Sequence, residues 1–186
     1  MTREIVTSEN KAEHDAKKLG LKKETPLKDK QTHILVNGEK KHVYNSEGKR
    51  IHDTEEGVKN FHKWFGKSKV VDEEGRPKVV YHGTNANFDK FDESKQNPGQ
   101  YGGKGFFFSE NKDVTKNFGE KVLSTYLKAE TGLLEKRKAR QEGKSTEIDH
   151  IRPSEDRNIW VVMKPNQIKS AEKNTGDFGE DHNIYK

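Results

Sequence analysis

His82, Gly83 and Thr84 close a run of β-branched residues in "KVVYHGT". A histidine at a strand end presents an imidazole to a ligand. The glycine after it leaves the backbone bare, so a ligand can approach without meeting a side chain. Further on, "GGKGFFFSENKDVTKNFG" (102–119) sets three phenylalanines behind a glycine-rich loop. In a strand, alternation sends Phe106 and Phe108 to one face and Phe107 to the other. The opposed ring can floor a pocket and stack on a flat ligand. Phe118 ends the helix that follows, and a helix folding back would bring it to the same strand end. The two rings would then sandwich something planar. Gly102, Gly103 and Gly105 complete neither a GxxxxGK[ST] nor a GxGxxG pattern, so this loop is not a phosphate cradle.

The elements that must position these residues are short. "HILVNGEKKHVY" carries a hairpin signal at Asn37-Gly38, residue types that accept positive φ. "NSEG" at 45–48 is a second turn, so a meander is expected over 32–53. In "TEEGVKNFHKWFG", Thr54 is placed to cap a helix and Gly66 to end it. Val58, Phe61 and Phe65 then share one apolar face, widened by Trp64. "SKVVDEEGRPKVVYHGT" reads as strand, tight turn, strand. The stretch from Asn85 to Gly105 is loop. "GFFFS" is a buried strand, with Ser109 placed to cap the helix that Gly119 closes. "KVLSTYLKA" and "NIWVVMKP" are two more strands, separated by a charged stretch, and a polar tail follows. No regular β-α-β alternation appears, so the fold class is α+β.

Composition narrows the class further. The 186 residues are 28% hydrophobic and 36% charged, with a net charge of +5. The mean hydropathy is −1.20. Residues 1–31 hold eight Lys/Arg and six Asp/Glu with few apolar anchors, and are expected to be flexible or weakly helical. There are no cysteines, which excludes disulfides, thiolate metal sites and a cysteine nucleophile. No apolar run approaches a membrane span or a signal core. A soluble protein of a reducing cytosol, in the host or in a target cell, is the expectation.

Taken together, "YHGT", "GKGFFFS", "TKNFG" and "PNQIKSA" at these spacings resemble the ADP-ribosyltransferase fold of the diphtheria-toxin and poly(ADP-ribose) polymerase type. They look closest to the domains of phage polyvalent proteins and prophage toxins. The resemblance covers about residues 54–186. It implies split antiparallel β-sheets that clasp NAD+, with short helices and, in this chain, a charged N-terminal extension. By resemblance, His82 binds a ribose hydroxyl, Gly83 holds the nicotinamide carboxamide through its backbone, and Thr84 shapes the pocket. Phe107 and Phe118 stand where the family usually has tyrosines. Thr115 matches a hydroxyl that bonds the nicotinamide amide, and Tyr101 tips the loop that serves as a lid. The family's third motif puts a glutamate at the start of a later strand. Here that position falls on Asn158 or Ile159, and neither is an acid. Glu155, Asp156 and Gln167 are the candidate replacements.

The resemblance thus implies a mono-ADP-ribosyltransferase of the pentosyltransferase class, a phage-associated effector or toxin. Its substrate is NAD+ and no metal is required. The partner is a macromolecular target, protein or nucleic acid, and an immunity or carrier protein fits the same picture. Two alternatives stay open: an NAD+ glycohydrolase, and a catalytically weak module that binds NAD+ or nucleic acid. The basic stretch "KRKARQEGK" (136–144) leans slightly towards an acidic target.

Overall fold

The computed structural model describes residues 25–96, 104–145, 147–152 and 158–186. The lead 1–24, Tyr101, Glu155 and Asp156 lie outside the described residues.

Asn37 and Gly38 take φ of 51° and 82° and join β1 (His33–Val36) to β2 (Glu39–His42) in an antiparallel hairpin. Both residues tolerate this conformation, which matches the twist of the flanking strands. The second turn is organised by Asn45, which is buried. Its Oδ1 accepts from the Glu47 and Lys49 amides, and its Nδ2 donates to the Tyr126 hydroxyl at 2.9 Å. Helix α1 (Glu55–Phe65) begins where expected, with the Thr54 hydroxyl accepting from the Gly57 amide. It ends at Gly66, whose φ is 56°. Val58, Phe61, Trp64 and Phe65 are all buried. They share one core with Ile34, Val36, Val43 and Ile51 from the meander, and with Val79, Tyr126 and Phe178.

A six-stranded antiparallel sheet runs in the order β6-β7-β4-β3-β5-β8. Its strands are β3 (Val80–Thr84), β4 (Phe106–Ser109), β5 (Lys121–Leu127), β6 (His150–Ile151), β7 (Ile159–Val162) and β8 (Ile168–Ser170). The fold is α+β, as expected. Pairing is uneven. β3 and β5 form five ladder pairs and β4 and β7 form four, whereas β3 and β4 meet only at Tyr81↔Ser109. The sheet therefore splits between β3 and β4. A second core joins the halves: Phe106, Phe108, Trp160 and Val162 from one, and Val80, Leu127 and Ile168 from the other.

Several elements differ from the sequence expectation. The first arm of "SKVVDEEGRPKVV" forms only an isolated bridge, Val71↔Pro77. Its turn is closed by Asp72, whose carboxylate accepts from the Glu74 and Arg76 amides and from Arg76 Nε. The helix after β4 is capped by Asn111, not Ser109. The Asn111 side chain takes the Asp113 amide at 2.9 Å, while Ser109 Oγ bonds the Asn111 amide. That helix is short: α2 (Lys112–Thr115) passes directly into a 3₁₀ turn at Lys116–Phe118. The charged stretch holds a further helix, α3 (Leu133–Gln141). The polar tail contributes β8, and it also buries Phe178 and Ile184.

Gln167 braces the split sheet. Its Oε1 accepts from the Met163 and Lys164 amides, at 3.0 and 2.9 Å. Its Nε2 donates to the carbonyls of Lys128 and Asp149, at 2.7 and 3.0 Å. One side chain thereby links the end of β5 to the segments that flank β6 and β7. Lys169, fully buried, fixes the tail by donating to the Asp181 and Asn183 carbonyls. Among the described residues no helix is long and apolar enough to cross a membrane.

Two outcomes follow from this packing. Replacing Gln167 by Ala removes four hydrogen bonds to backbone amides and carbonyls, so urea melts should show a loss of about 2–4 kcal/mol. The second concerns acid. His62 Nε2 donates to the His42 carbonyl at 2.7 Å, and burial pushes this imidazole down to about 4 from 6.5. The unfolded chain protonates first as pH falls, so stability present above 6.5 drains away towards pH 4. The expected loss is up to about 3 kcal/mol, and a His62→Gln variant should show a shallower slope.

Candidate active site

His82 sits in the split. Its Nδ1 lies 2.8 Å from the Phe107 carbonyl oxygen. A carbonyl only accepts, so Nδ1 carries the proton and Nε2 is left as an acceptor. Burial pushes this imidazole below its ordinary value, against the opposing effect of the Phe107 bond. The ring is therefore neutral at pH 7. Phe91 meets it edge-on at 5.0 Å and Phe108 lies at 5.4 Å. Among the described residues, Nε2 has no hydrogen-bond partner. It is free to accept from a ligand hydroxyl.

Gly83 faces the other way. A Cβ built there would fall 1.9 Å from the Thr115 carbonyl oxygen and 3.2 Å from Phe118 Cβ. Only glycine lets α2 press this closely on β3. The Thr84 hydroxyl accepts from the Ala86 amide at 3.1 Å and shapes the exit of β3. Thr115 is buried and donates its hydroxyl to the Lys112 carbonyl at 2.6 Å. Its lone pairs still accept, but its proton is engaged. Phe118 is 70% exposed beside Gly83.

The phenylalanine run splits by alternation. Phe106 and Phe108 are buried and Phe107 is half-buried. Extending the Tyr81↔Ser109 register puts Phe107 across from Gly83, on the face where α2 lies. Gly105 is needed on that same face, because a Cβ there would meet Val161 Cγ1 at 2.4 Å. Gly83, Phe107, Thr115 and Phe118 thus share the α2 side of the split, with Thr84 at the strand exit, while the His82 ring lies on the other face against Phe91 and Phe108. Gln167 is not part of this group; its amide is committed on all four sides to backbone.

A match to known families bears on this arrangement. The family described as ADP-Ribosyltransferase in polyvalent proteins matches residues 72–151. Residues 72–151 are thus similar to the ADP-ribosyltransferase domain of that family. No curated protein and no solved structure matches the chain. The matched segment holds the His82 strand, the phenylalanine strand and α2, while β7 and β8 complete the sheet beyond it.

Sequence reasoning missed one charged cluster that joins the matched segment to the residues beyond it. Glu110, just past β4, accepts from Lys78 Nζ at 2.7 Å and from Trp160 Nε1 at 2.8 Å, with Arg152 at 3.4 Å. Burial raises the affinity of this carboxyl for a proton. The bonds from Lys78 and Trp160 and the nearby cations outweigh that, so it stays ionised below the usual range. The Glu110 amide also donates to the Asn158 carbonyl at 2.8 Å. Glu110 therefore stands beside the strand start where the third motif falls, and it holds that edge together. No local pattern announces it, since its partners come from three distant segments. Among the described residues no group of three His, Asp or Glu is placed to hold a metal.

Gly83→Ala should force α2 off β3 and lower stability by more than about 2 kcal/mol, from the steric overlap. Phe118→Ala, at an exposed position, should stay within about 0.5 kcal/mol of the parent. Thermal melts followed by circular dichroism separate the two.

Proposed function

We propose that the protein is a mono-ADP-ribosyltransferase that uses NAD+ to modify a macromolecular target, with residues 54–186 as its catalytic domain. The His82 ring in the strand split supports this most directly. A neutral imidazole, fixed in one tautomer with its acceptor nitrogen bare, suits a ribose hydroxyl. In this reading Nε2 orients the ribose and the Gly83 backbone holds the carboxamide. Phe107 and Phe118 flank the nicotinamide ring. Stacking needs only a π face, so losing the usual hydroxyls leaves it available. Thr84 shapes the floor and Tyr101 covers it from the lid. Thr115, its proton already donated, faces the carboxamide as an acceptor for the amide N–H.

NAD+ supplies a ribose carbon bonded to a good leaving group. As the C1′–N bond breaks, the electron pair leaves with nicotinamide and positive charge develops on the ribose. A carboxylate nearby accelerates the step because its stabilisation grows only towards the transition state. The target nucleophile then bonds to C1′ and gives up its proton. We assign the carboxylate to Glu155, with Asp156 as the neighbour that could share the role. The residues flanking their segment, Arg152 and Asn158, both bond Glu110. Glu110 is already engaged by Lys78, Trp160 and Arg152, which makes it the less suited carboxylate. The lack of an acid at Asn158 or Ile159, where the third motif falls, favours one second reading: a catalytically weak module that binds NAD+. The phage or toxin setting, an immunity or carrier partner and a cytosolic site of action follow from the polyvalent-protein likeness alone.

The test is an incubation with biotinylated NAD+ and cell lysate, with free nicotinamide measured in parallel. Transfer of label to a macromolecule is expected. His82→Ala should reduce it at least about tenfold, the worth of one lost ligand hydrogen bond. Glu155→Gln should reduce label and nicotinamide release together. Nicotinamide release without label would establish the hydrolase instead. Unchanged labelling in His82→Ala would remove the assignment of the site.

A further inference from the structure

From α3 we infer that the target is nucleic acid, docked through its phosphate backbone on the basic face of that helix. The identity of the target rests on the transferase reading above, whereas the docking itself does not. Nine residues of α3 hold Lys136, Arg137, Lys138 and Arg140 against a single acid. All four cations are exposed, and among the described residues none forms an ion pair. The next acid along, Glu142, is taken by Lys144 at 2.7 Å. Some exposed lysines elsewhere do have a carboxylate: Lys116 pairs with Asp113 and Lys49 with Glu47.

Lys136 and Arg140 are one turn apart, about 6 Å along the axis, and Arg137 lies about 60° further round from Arg140. Like charges at this spacing repel one another, and nothing in the described chain offsets that. A polyanion would. A protein partner needs its own carboxylates in register with these four. A nucleic acid carries charge densely enough that register matters little.

Nor do the described side chains of α3, residues 136–141, belong to either core. It lies on an excursion closed at its base by Thr131 and Asp149. The Asp149 amide donates to the Thr131 carbonyl at 2.9 Å, and its carboxylate accepts the Thr131 amide at 3.0 Å. The charges can therefore be removed without touching the sheet or the His82 site.

The experiment compares the parent chain with a variant carrying Lys136→Gln, Arg137→Gln, Lys138→Gln and Arg140→Gln. Fluorescence anisotropy with labelled 20-nucleotide DNA and RNA, without NAD+, reads docking over a salt series. Four phosphate contacts predict a log–log slope of about −3.6, or about 100-fold weaker binding from 50 to 200 mM salt. The variant should lose most of that slope while its melting temperature and nicotinamide release stay unchanged. Equal binding by parent and variant, or tighter binding to a poly-glutamate peptide than to either oligonucleotide, overturns the docking. With biotinylated NAD+, label on the oligonucleotide that disappears in the variant supports nucleic acid as the target. Label confined to proteins overturns it. Docking with no nicotinamide release at all would leave the surface standing and sink the transferase reading instead.

Discussion

The bond from His82 Nδ1 to the Phe107 carbonyl is the constraint on which the rest of the site depends. A continuous ladder would pair that carbonyl with a backbone amide of β3. Beyond Tyr81↔Ser109 the strands part, and an imidazole takes the place of the amide. The exchange keeps a half-buried carbonyl satisfied, which an open seam would otherwise leave at some cost. It also does what a ladder bond cannot. It fixes which ring nitrogen holds the proton, so the other is presented to the cleft as an acceptor. Burial against Phe91 and Phe108 keeps the ring neutral, and neutrality preserves the acceptor.

A split sheet needs to be held elsewhere. Gln167 performs that task at a distance from His82, bridging both halves through backbone alone. On the outer face, the N-terminal meander steadies β3 and β5. Asn45 bonds Tyr126, and the Tyr81 hydroxyl donates to Glu47, while Lys112 of α2 lies over the Tyr81 ring at 5.7 Å. Burial beside the Glu47 carboxylate pushes the Tyr81 phenol up to about 12, so it remains a donor throughout the physiological range. The meander thus reaches the strand that carries His82 and the helix that packs on Gly83. This gives residues 32–53 a structural part in positioning the site.

The features legible in the sequence were those decided locally. Asn37-Gly38 dictates its turn, Thr54 and Gly66 bound their helix, and alternation sorts Phe106 to Phe108 without any tertiary information. What was illegible depends on partners far along the chain. Asn111 displaces Ser109 as a cap because β4 keeps Ser109 in the ladder with both Tyr81 and Ile159. "QIKS" reads as polar tail, yet Lys169 is buried because two carbonyls from residues 181 and 183 converge on its ammonium. Gln167 looks like any surface amide until Lys128 and Asp149 are brought beside it. Glu110 likewise acquires its meaning from Lys78, Arg152 and Trp160. Of the site itself, the motif residues could be picked out, but the tautomer of His82 could not, because it is set by a carbonyl 25 residues away.

The exposed ring of Phe118 bears on how the proposed site would recognise its ligand. A ring 70% exposed gains little from folding, and its place beside Gly83 serves no core. With phenylalanine at both 107 and 118, no side-chain hydroxyl is available from those positions. Polar recognition then falls to His82 Nε2, the Gly83 backbone and the lone pairs of Thr115. Two of these three are acceptors, and only the backbone amide of Gly83 donates. A carboxamide offers both an N–H donor and a carbonyl acceptor, so such a site reads it with one contact of each sense. An acid in place of the amide would confront Thr115 with a second acceptor. Under the proposed assignment the site would favour nicotinamide over nicotinic acid, and would do so through Lys112, whose carbonyl holds the Thr115 proton.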